Sequence, residues 1–147
     1  MDPIGMLFAL HNIGIIIWVG AAVLTPLGII PAMAALDVPS QQKFFRRLAT
    51  WWAPLLVASA ILVGLTGWAQ TTMIDDVNIP VLIVKHVLVL LLVVAGLFIA
   101  VWPGRKLMTM AEPTPERQKL WMVFQCACWI QAVIGVAVLV VVGQLMV

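Results

Sequence analysis

Between Pro80 and Trp102 the chain reads PVLIVKHVLVLLLVVAGLFIAVW, in which one lysine and one histidine are the only ionisable side chains. A helix needs about 20 apolar residues to cross the hydrocarbon core of a bilayer, so this stretch is long enough. Three further apolar runs lie at residues 4–32, 48–71 and 120–145. The sequence therefore predicts an all-α integral membrane protein, an antiparallel four-helix bundle in which residues 1–147 form one domain with spans at 4–32, 48–71, 80–102 and 120–145.

The composition excludes a separate soluble domain. Of the 147 residues, 64% are hydrophobic and 10% are charged, whereas soluble domains carry about 25% charged residues. We therefore expect the lipid bilayer as the main partner, and no nucleic acid. The first run is preceded by the acidic Asp2 and lacks the basic segment that begins a signal peptide. We therefore expect this run to be retained as a span and not removed as a signal peptide.

The distribution of lysine and arginine predicts the orientation of the spans. Seven of the eight basic residues lie in the connectors 33–47 and 103–119, and the eighth is Lys85. Basic connectors stay in the cytoplasm, so we expect both termini on the outer face of the inner membrane of a prokaryote. Tryptophans then fall near the two interfaces, as membrane proteins prefer: Trp51, Trp52, Trp102 and Trp121 at the inner one and Trp68 at the outer one.

The only two histidines of the chain, His11 and His86, lie inside spans one and three. At a rise of about 1.5 Å per residue, they lie roughly 10 and 9 Å below the outer ends of those spans. Ionisable side chains at such depth are rare and usually functional. The matched depth predicts one shared site for the two imidazoles.

A b-type haem, with both imidazoles as axial ligands of the iron, is the leading prediction for this site. Trp18, two turns below His11, would pack against the ring, and Lys85 would reach the haem propionates at the outer interface. Such a haem favours single-electron transfer with a redox partner, within a larger membrane complex or between copies of the chain. Small residues at the same level either make room for the ring or allow close helix contact: Gly14, Gly64, Gly67 and Gly135.

Other interpretations of the histidines remain open. Each imidazole can simply form a hydrogen bond to a neighbouring helix. Copper is the alternative occupant, since imidazole and thioether groups both bind copper ions and three methionines fall near the outer face: Met6, Met73 and Met146. Cys126 and Cys128 lie about 200° apart around span four, so we expect them to pack as small apolar residues and not to chelate one ion.

Three segments resemble the membrane domain of copper-resistance D (CopD) proteins: LHNIGIIIWVGAAV (Leu10 to Val23), KFFRRLATWWAPLLVASAILVGLTG (Lys43 to Gly67) and IVKHVLVLLLVVAG (Ile83 to Gly96). The same landmarks are similar to HemJ-type protoporphyrinogen oxidases, four-span haem-associated proteins whose span-one histidine and span-three lysine correspond to His11 and Lys85. The chain departs from the oxidases at the end of span one and contains no tyrosine. These resemblances imply a small haem- or copper-linked membrane bundle, with copper handling or porphyrin oxidation as alternatives to electron transfer.

Overall fold

The computed structural model describes residues 2–73 and 78–144, and almost all of them are helical. The α-helices are α1 Pro3–Leu24, α2 Ile30–Ala34, α3 Val38–Met73, α4 Ile79–Ile99, α5 Arg105–Thr109 and α6 Pro115–Gln144. Two π-helical turns, Thr25–Ile29 and Ala100–Gly104, join α1 to α2 and α4 to α5. These elements form four segments long and apolar enough to cross a membrane, which confirms the predicted all-α, four-span fold. Met146, a candidate copper ligand, lies outside the described residues.

Local sequence signals start the two helices that carry the histidines. A carboxylate oxygen of Asp2 accepts a hydrogen bond from the backbone N–H of Gly5 at 2.6 Å, and Pro3 follows at the first position of α1. The side chain of Asn78 caps α4 in the same way, and Pro80 follows it. Asp and Asn caps, with proline in the first turn, are favoured at helix starts. Each histidine therefore lies about two turns inside its helix.

The helices extend beyond the predicted spans at one end of the bundle. α3 begins at Val38, ten residues before the predicted span, and its 36 residues extend about 54 Å. The hydrocarbon core is only about 30 Å thick, so α3 projects from it. The basic connectors are thus largely helical extensions of the spans. We call the end of the bundle that holds the α2–α3 and α5–α6 connections the basic end. The opposite end, where α1 and α4 begin, is the histidine end.

The order of packing across the bundle is α3, α1, α6, α4. α1 packs mainly against α3 and also against α6, and α6 packs against α4. α3 and α4 do not pack extensively against each other, whereas the short helix α5 contacts both α3 and α6 at the basic end. The short helix α5 thus adds contacts at the basic end, and α1 lies between α3 and the other two long helices, α6 and α4.

Two clusters of buried apolar side chains hold the helices together. The cluster at the basic end contains Ile30, Met33, Phe45, Leu107, Leu120, Phe124 and Cys128. The other, nearer the histidine end, contains Ile15, Trp18, Val19, Val63 and Leu92. Most remaining large apolar side chains face outward, as on Ile16, Leu65 and Leu90. An outward apolar surface is what the hydrocarbon core of a bilayer requires of spanning helices.

Candidate functional site

His11 lies on the face of α1 that packs against α3, and only 3% of its surface is exposed. Its Nδ1 lies 2.9 Å from Oγ1 of Thr66. The single hydroxyl hydrogen of Thr66 is already donated to the carbonyl oxygen of Leu62, at 2.6 Å. Nδ1 of His11 must therefore be the donor to Thr66, and it carries the ring proton. A neutral His11 thus has a lone pair, and no proton, on Nε2.

Nε2 of His11 is the unusual atom of this site. It is fully buried and has no hydrogen-bond partner among the described residues. Buried polar atoms in proteins nearly always have a partner, so an exception points to a role or to a bound group. One turn along α3 from Thr66, Gln70 is also buried, and its Nε2 likewise lacks a partner within the described part of the chain. The α1–α3 contact therefore holds two orphaned polar atoms on two residues.

The third span contributes Lys85 to this region. The side chain of Lys85 is half-buried, and its charge lies within electrostatic range of the His11 imidazole. The next residue, His86, is exposed. Successive residues on a helix differ by about 100° in direction, so Lys85 and His86 lie on different sides of α4, one half-buried and the other exposed.

The two histidines differ in burial: His11 is buried and His86 is exposed. Nδ1 of His86 donates to the carbonyl oxygen of Leu82, one turn back on its own helix, at 2.7 Å. The prediction of a shared site rested on depth alone, which the helical rise determines. Direction around the helix axis depends on packing, and here it differs for His11 and His86. Ligation of one iron by both histidines of a single chain remains a prediction that this arrangement does not favour.

Three of the four glycines predicted at the depth of the histidines lie in close contacts, of two kinds. A Cβ atom on Gly14 would lie 2.7 Å from Val63, and one on Gly135 would lie 3.1 Å from Val19, so both permit close helix packing. A Cβ on Gly67 would lie 3.0 Å from Cε1 of His11, so this glycine makes room for the imidazole.

The fourth glycine and the predicted tryptophan lie away from the His11 imidazole. A Cβ on Gly64 would meet no atom within 4 Å. Trp18 is buried in the apolar cluster with Ile15 and Leu92. Of the residues predicted to surround a cofactor, Gly67 lies directly against the His11 ring, and Lys85 lies within its electrostatic range.

Two of the candidate copper ligands, Met6 and Met73, lie within the described residues. Met6 and Met73 are both more than half exposed. Cys126 is exposed and Cys128 is buried, which confirms that the two thiols face different surfaces of α6. In the part of the chain that the structure describes, no group of three or more His, Cys, Asp and Glu side chains could hold a metal ion.

Sequence reasoning missed Thr66, the hydrogen-bond partner of His11. The available signal was the spacing of Thr66 and Gln70, two polar residues four positions apart in an apolar span. Residues at this spacing share one helix face, and such a face in a membrane usually meets another helix.

No protein-family model, no curated protein and no solved structure matches this chain. The chemistry of the site therefore follows from its own residues. They present a neutral imidazole with a free lone pair, a hydroxyl group that fixes its tautomer, and a nearby ammonium group. This set can bind a metal ion through nitrogen, or accept and return a proton.

Proposed function

We propose that the chain is a haem-binding membrane protein in which His11 is an axial ligand of the iron. The orientation of the His11 ring carries this proposal. Histidines that bind metals almost always donate the other ring N–H to an oxygen, which fixes the tautomer and makes the ligating nitrogen more basic. Nδ1 of His11 donates to Thr66, and Nε2 is left without a partner among the described residues.

The surroundings of His11 are compatible with a porphyrin. Gly67 lets α3 approach the imidazole closely, since a Cβ there would lie 3.0 Å from Cε1 of His11. The limited contact between α3 and α4 supports entry of a flat group from that side of the bundle. Lys85 would pair with a propionate, because a carboxylate is the natural partner of an ammonium group near a membrane interface. When bound, haem would supply one-electron redox chemistry.

The exposure of His86 bears on the second axial position. We infer that His11 is the only histidine of the same chain that ligates the iron, since His86 is exposed and its Nδ1 donates to the backbone of its own helix. A haem with one protein ligand keeps a position open to small molecules, whereas two ligands restrict it to electron transfer. The number of axial ligands therefore separates this proposal from the two-histidine prediction.

An absorption spectrum of the purified protein, loaded with haem, tests the proposal. We expect a Soret band that is lost in His11→Ala and kept in His86→Ala, which serves as the matched control. Binding of carbon monoxide to the reduced protein would support an open axial position. Equal loss in both variants would favour ligation by both histidines. Stoichiometric copper without haem would overturn the proposal and favour copper handling.

Porphyrin oxidation is the second candidate, and it is favoured by the half-buried lysine, Lys85, at the same end of the bundle as the buried His11. These are the two residues that correspond to the histidine and lysine of the HemJ-type oxidases. The reaction removes hydrogen atoms from a porphyrinogen, so an assay must supply an electron acceptor such as a quinone. We expect Lys85→Ala to abolish turnover and His86→Ala to preserve it. Haem binding without turnover in the wild-type protein would exclude this activity.

The positive-inside rule supports the cytoplasm as the location of the basic end. That end carries seven basic and three acidic residues. Both termini, and His11, would then lie toward the outer face of the membrane. An electron donor or acceptor would approach from that side, as a separate redox protein or as a subunit of a larger complex.

A further inference from the structure

A second polar cluster lies at the basic end, away from His11. Arg117, near the start of α6, is only 6% exposed. Its Nη2 donates to Oε1 of Gln41 at 2.7 Å, and its Nε donates to the carbonyl oxygen of Met110 at 3.3 Å. Both acceptors are neutral, and no carboxylate pairs with Arg117 among the described residues. A buried charge without a counter-charge is unfavourable.

Gln41 fixes the direction of this cluster. Its Nε2 donates to the carbonyl oxygens of Met33 and Leu36, each at 3.0 Å, so its Oε1 must face Arg117. These bonds tie the guanidinium to the chain around the α2–α3 connection. Arg117 is therefore held in place by groups that contribute no negative charge.

A cleft of about 350 Å³ opens beside the guanidinium. Its lining includes Ala34, Gln41, Thr114, Arg117, Gln118 and Trp121. A guanidinium has five N–H groups, and two of those on Arg117 have acceptors within the part of the chain described. The remaining three are available to a ligand in the cleft. Its volume lies within the range of small-molecule sites, about 300–1,000 Å³.

We propose that this cleft binds a phosphate group, most naturally that of an anionic phospholipid. Arginine binds phosphate oxygens with two parallel hydrogen bonds, and a phosphate would supply the negative charge that Arg117 lacks. The cleft lies near the predicted membrane interface, because span four is predicted to begin at residue 120 and Trp121 forms part of the wall. Basic pockets between helices at the cytoplasmic side suit lipid headgroups.

Binding of dioctanoyl phosphatidic acid to the full chain in detergent, measured by calorimetry, tests this site. Dioctanoylglycerol, which differs only in lacking the phosphate, is the control ligand. We expect Arg117→Gln to bind phosphatidic acid about 10- to 100-fold more weakly, as expected for loss of a charge-assisted hydrogen bond. Arg105→Gln removes the same charge from an exposed residue outside the cleft and should bind normally.

A second pair of variants avoids the Arg117 network, should Arg117→Gln fail to fold. Ala34 is exposed and lines the cleft, whereas Ala35 is exposed and does not. Ala34→Glu would place a competing carboxylate beside Arg117 and should weaken phosphatidic acid binding by at least about tenfold. Ala35→Glu should leave it unchanged.

Comparing the binding of inorganic phosphate with that of phosphatidic acid distinguishes a soluble phosphate ligand from a lipid headgroup. Tighter binding of phosphatidic acid than of inorganic phosphate, lost in Ala34→Glu, supports a lipid headgroup. Equal binding of both, with the same loss, supports the phosphate site with a soluble ligand. Binding of dioctanoylglycerol as tight as that of phosphatidic acid, or no effect of Ala34→Glu on either phosphate, would overturn the proposal.

Discussion

Replacing Thr66 by valine removes the oxygen that accepts the Nδ1–H of His11 and changes the side-chain volume little. The bond is 2.9 Å long and buried. Leaving a buried donor unpaired costs about 1–3 kcal/mol in soluble proteins, and hydrogen bonds between membrane helices are worth about 0.6 kcal/mol on average and up to about 2. We therefore expect Thr66→Val to lower the free energy of unfolding by about 1–2 kcal/mol.

The larger effect should fall on ligand affinity. Removing an outer partner of a metal-binding histidine typically weakens metal binding by about 10–100-fold. Titration of the apoprotein with haem, followed at the Soret band, measures this change. Thr66→Ser retains the hydroxyl and should bind haem nearly as the wild type does. Thr72→Val is the control, since Thr72 is exposed and bonds only to Ala69 of its own helix. Wild-type affinity in Thr66→Val, or equal loss in Thr66→Ser, would refute the reasoning.

Three further results are expected. Gly14→Ala should lower the free energy of unfolding of the bundle by about 1–3 kcal/mol, because the added Cβ would lie 2.7 Å from Val63. Gly20→Ala, whose added Cβ would meet no atom within 4 Å, should not lower it. Equal effects of the two substitutions in a thermal or denaturant unfolding experiment would contradict the packing role of Gly14. Gly67→Ala should displace the His11 ring and weaken haem binding about tenfold or more, read from the same titration; unchanged affinity would show that the glycine is not needed. A reporter enzyme active only outside the cytoplasm should be active when fused to the C-terminus; an inactive, stable fusion would reverse the proposed orientation.

Hydropathy predicted the four spans because an apolar run of about 20 residues has few other uses in a protein. The ends of the spans were predicted less well. The stretch from Val38 to Arg47 is polar enough to be assigned to a connector, yet it continues α3 as a helix. Polarity predicts where the chain leaves the hydrocarbon core. It does not predict where the helix ends, since no bilayer is needed to support helical backbone hydrogen bonds.

The candidate site was predicted only in part from the sequence. His11 is buried inside the bundle, as an ionisable residue in a membrane span usually is. Lys85 and His86 are consecutive and point about 100° apart on α4, so they cannot both face the same neighbouring helix. α4 is apolar on every side, and only Leu92 is fully buried along it. Its sequence therefore holds no stripe that indicates which face turns inward, and the direction of His86 depends on tertiary packing.

The glycines illustrate the limit of residue type as a guide. Each was consistent with space for a ring or with close helix contact. Gly14 and Gly135 serve close contact, and Gly67 accommodates the imidazole. The distinction depends on the side chain opposite, Val63, Val19 or His11, and that pairing follows from how α1, α3 and α6 are rotated against one another.

Nitrogen-15 NMR of the two histidines tests the central claim most directly, because the chain contains only His11 and His86. In the His86→Ala variant, every imidazole signal belongs to His11. We expect a neutral ring with the proton on Nδ1 and an unprotonated Nε2, whose signal shifts strongly when haem is added. A proton on Nε2, or a signal that haem leaves unchanged, would contradict the assignment of His11 as an iron ligand.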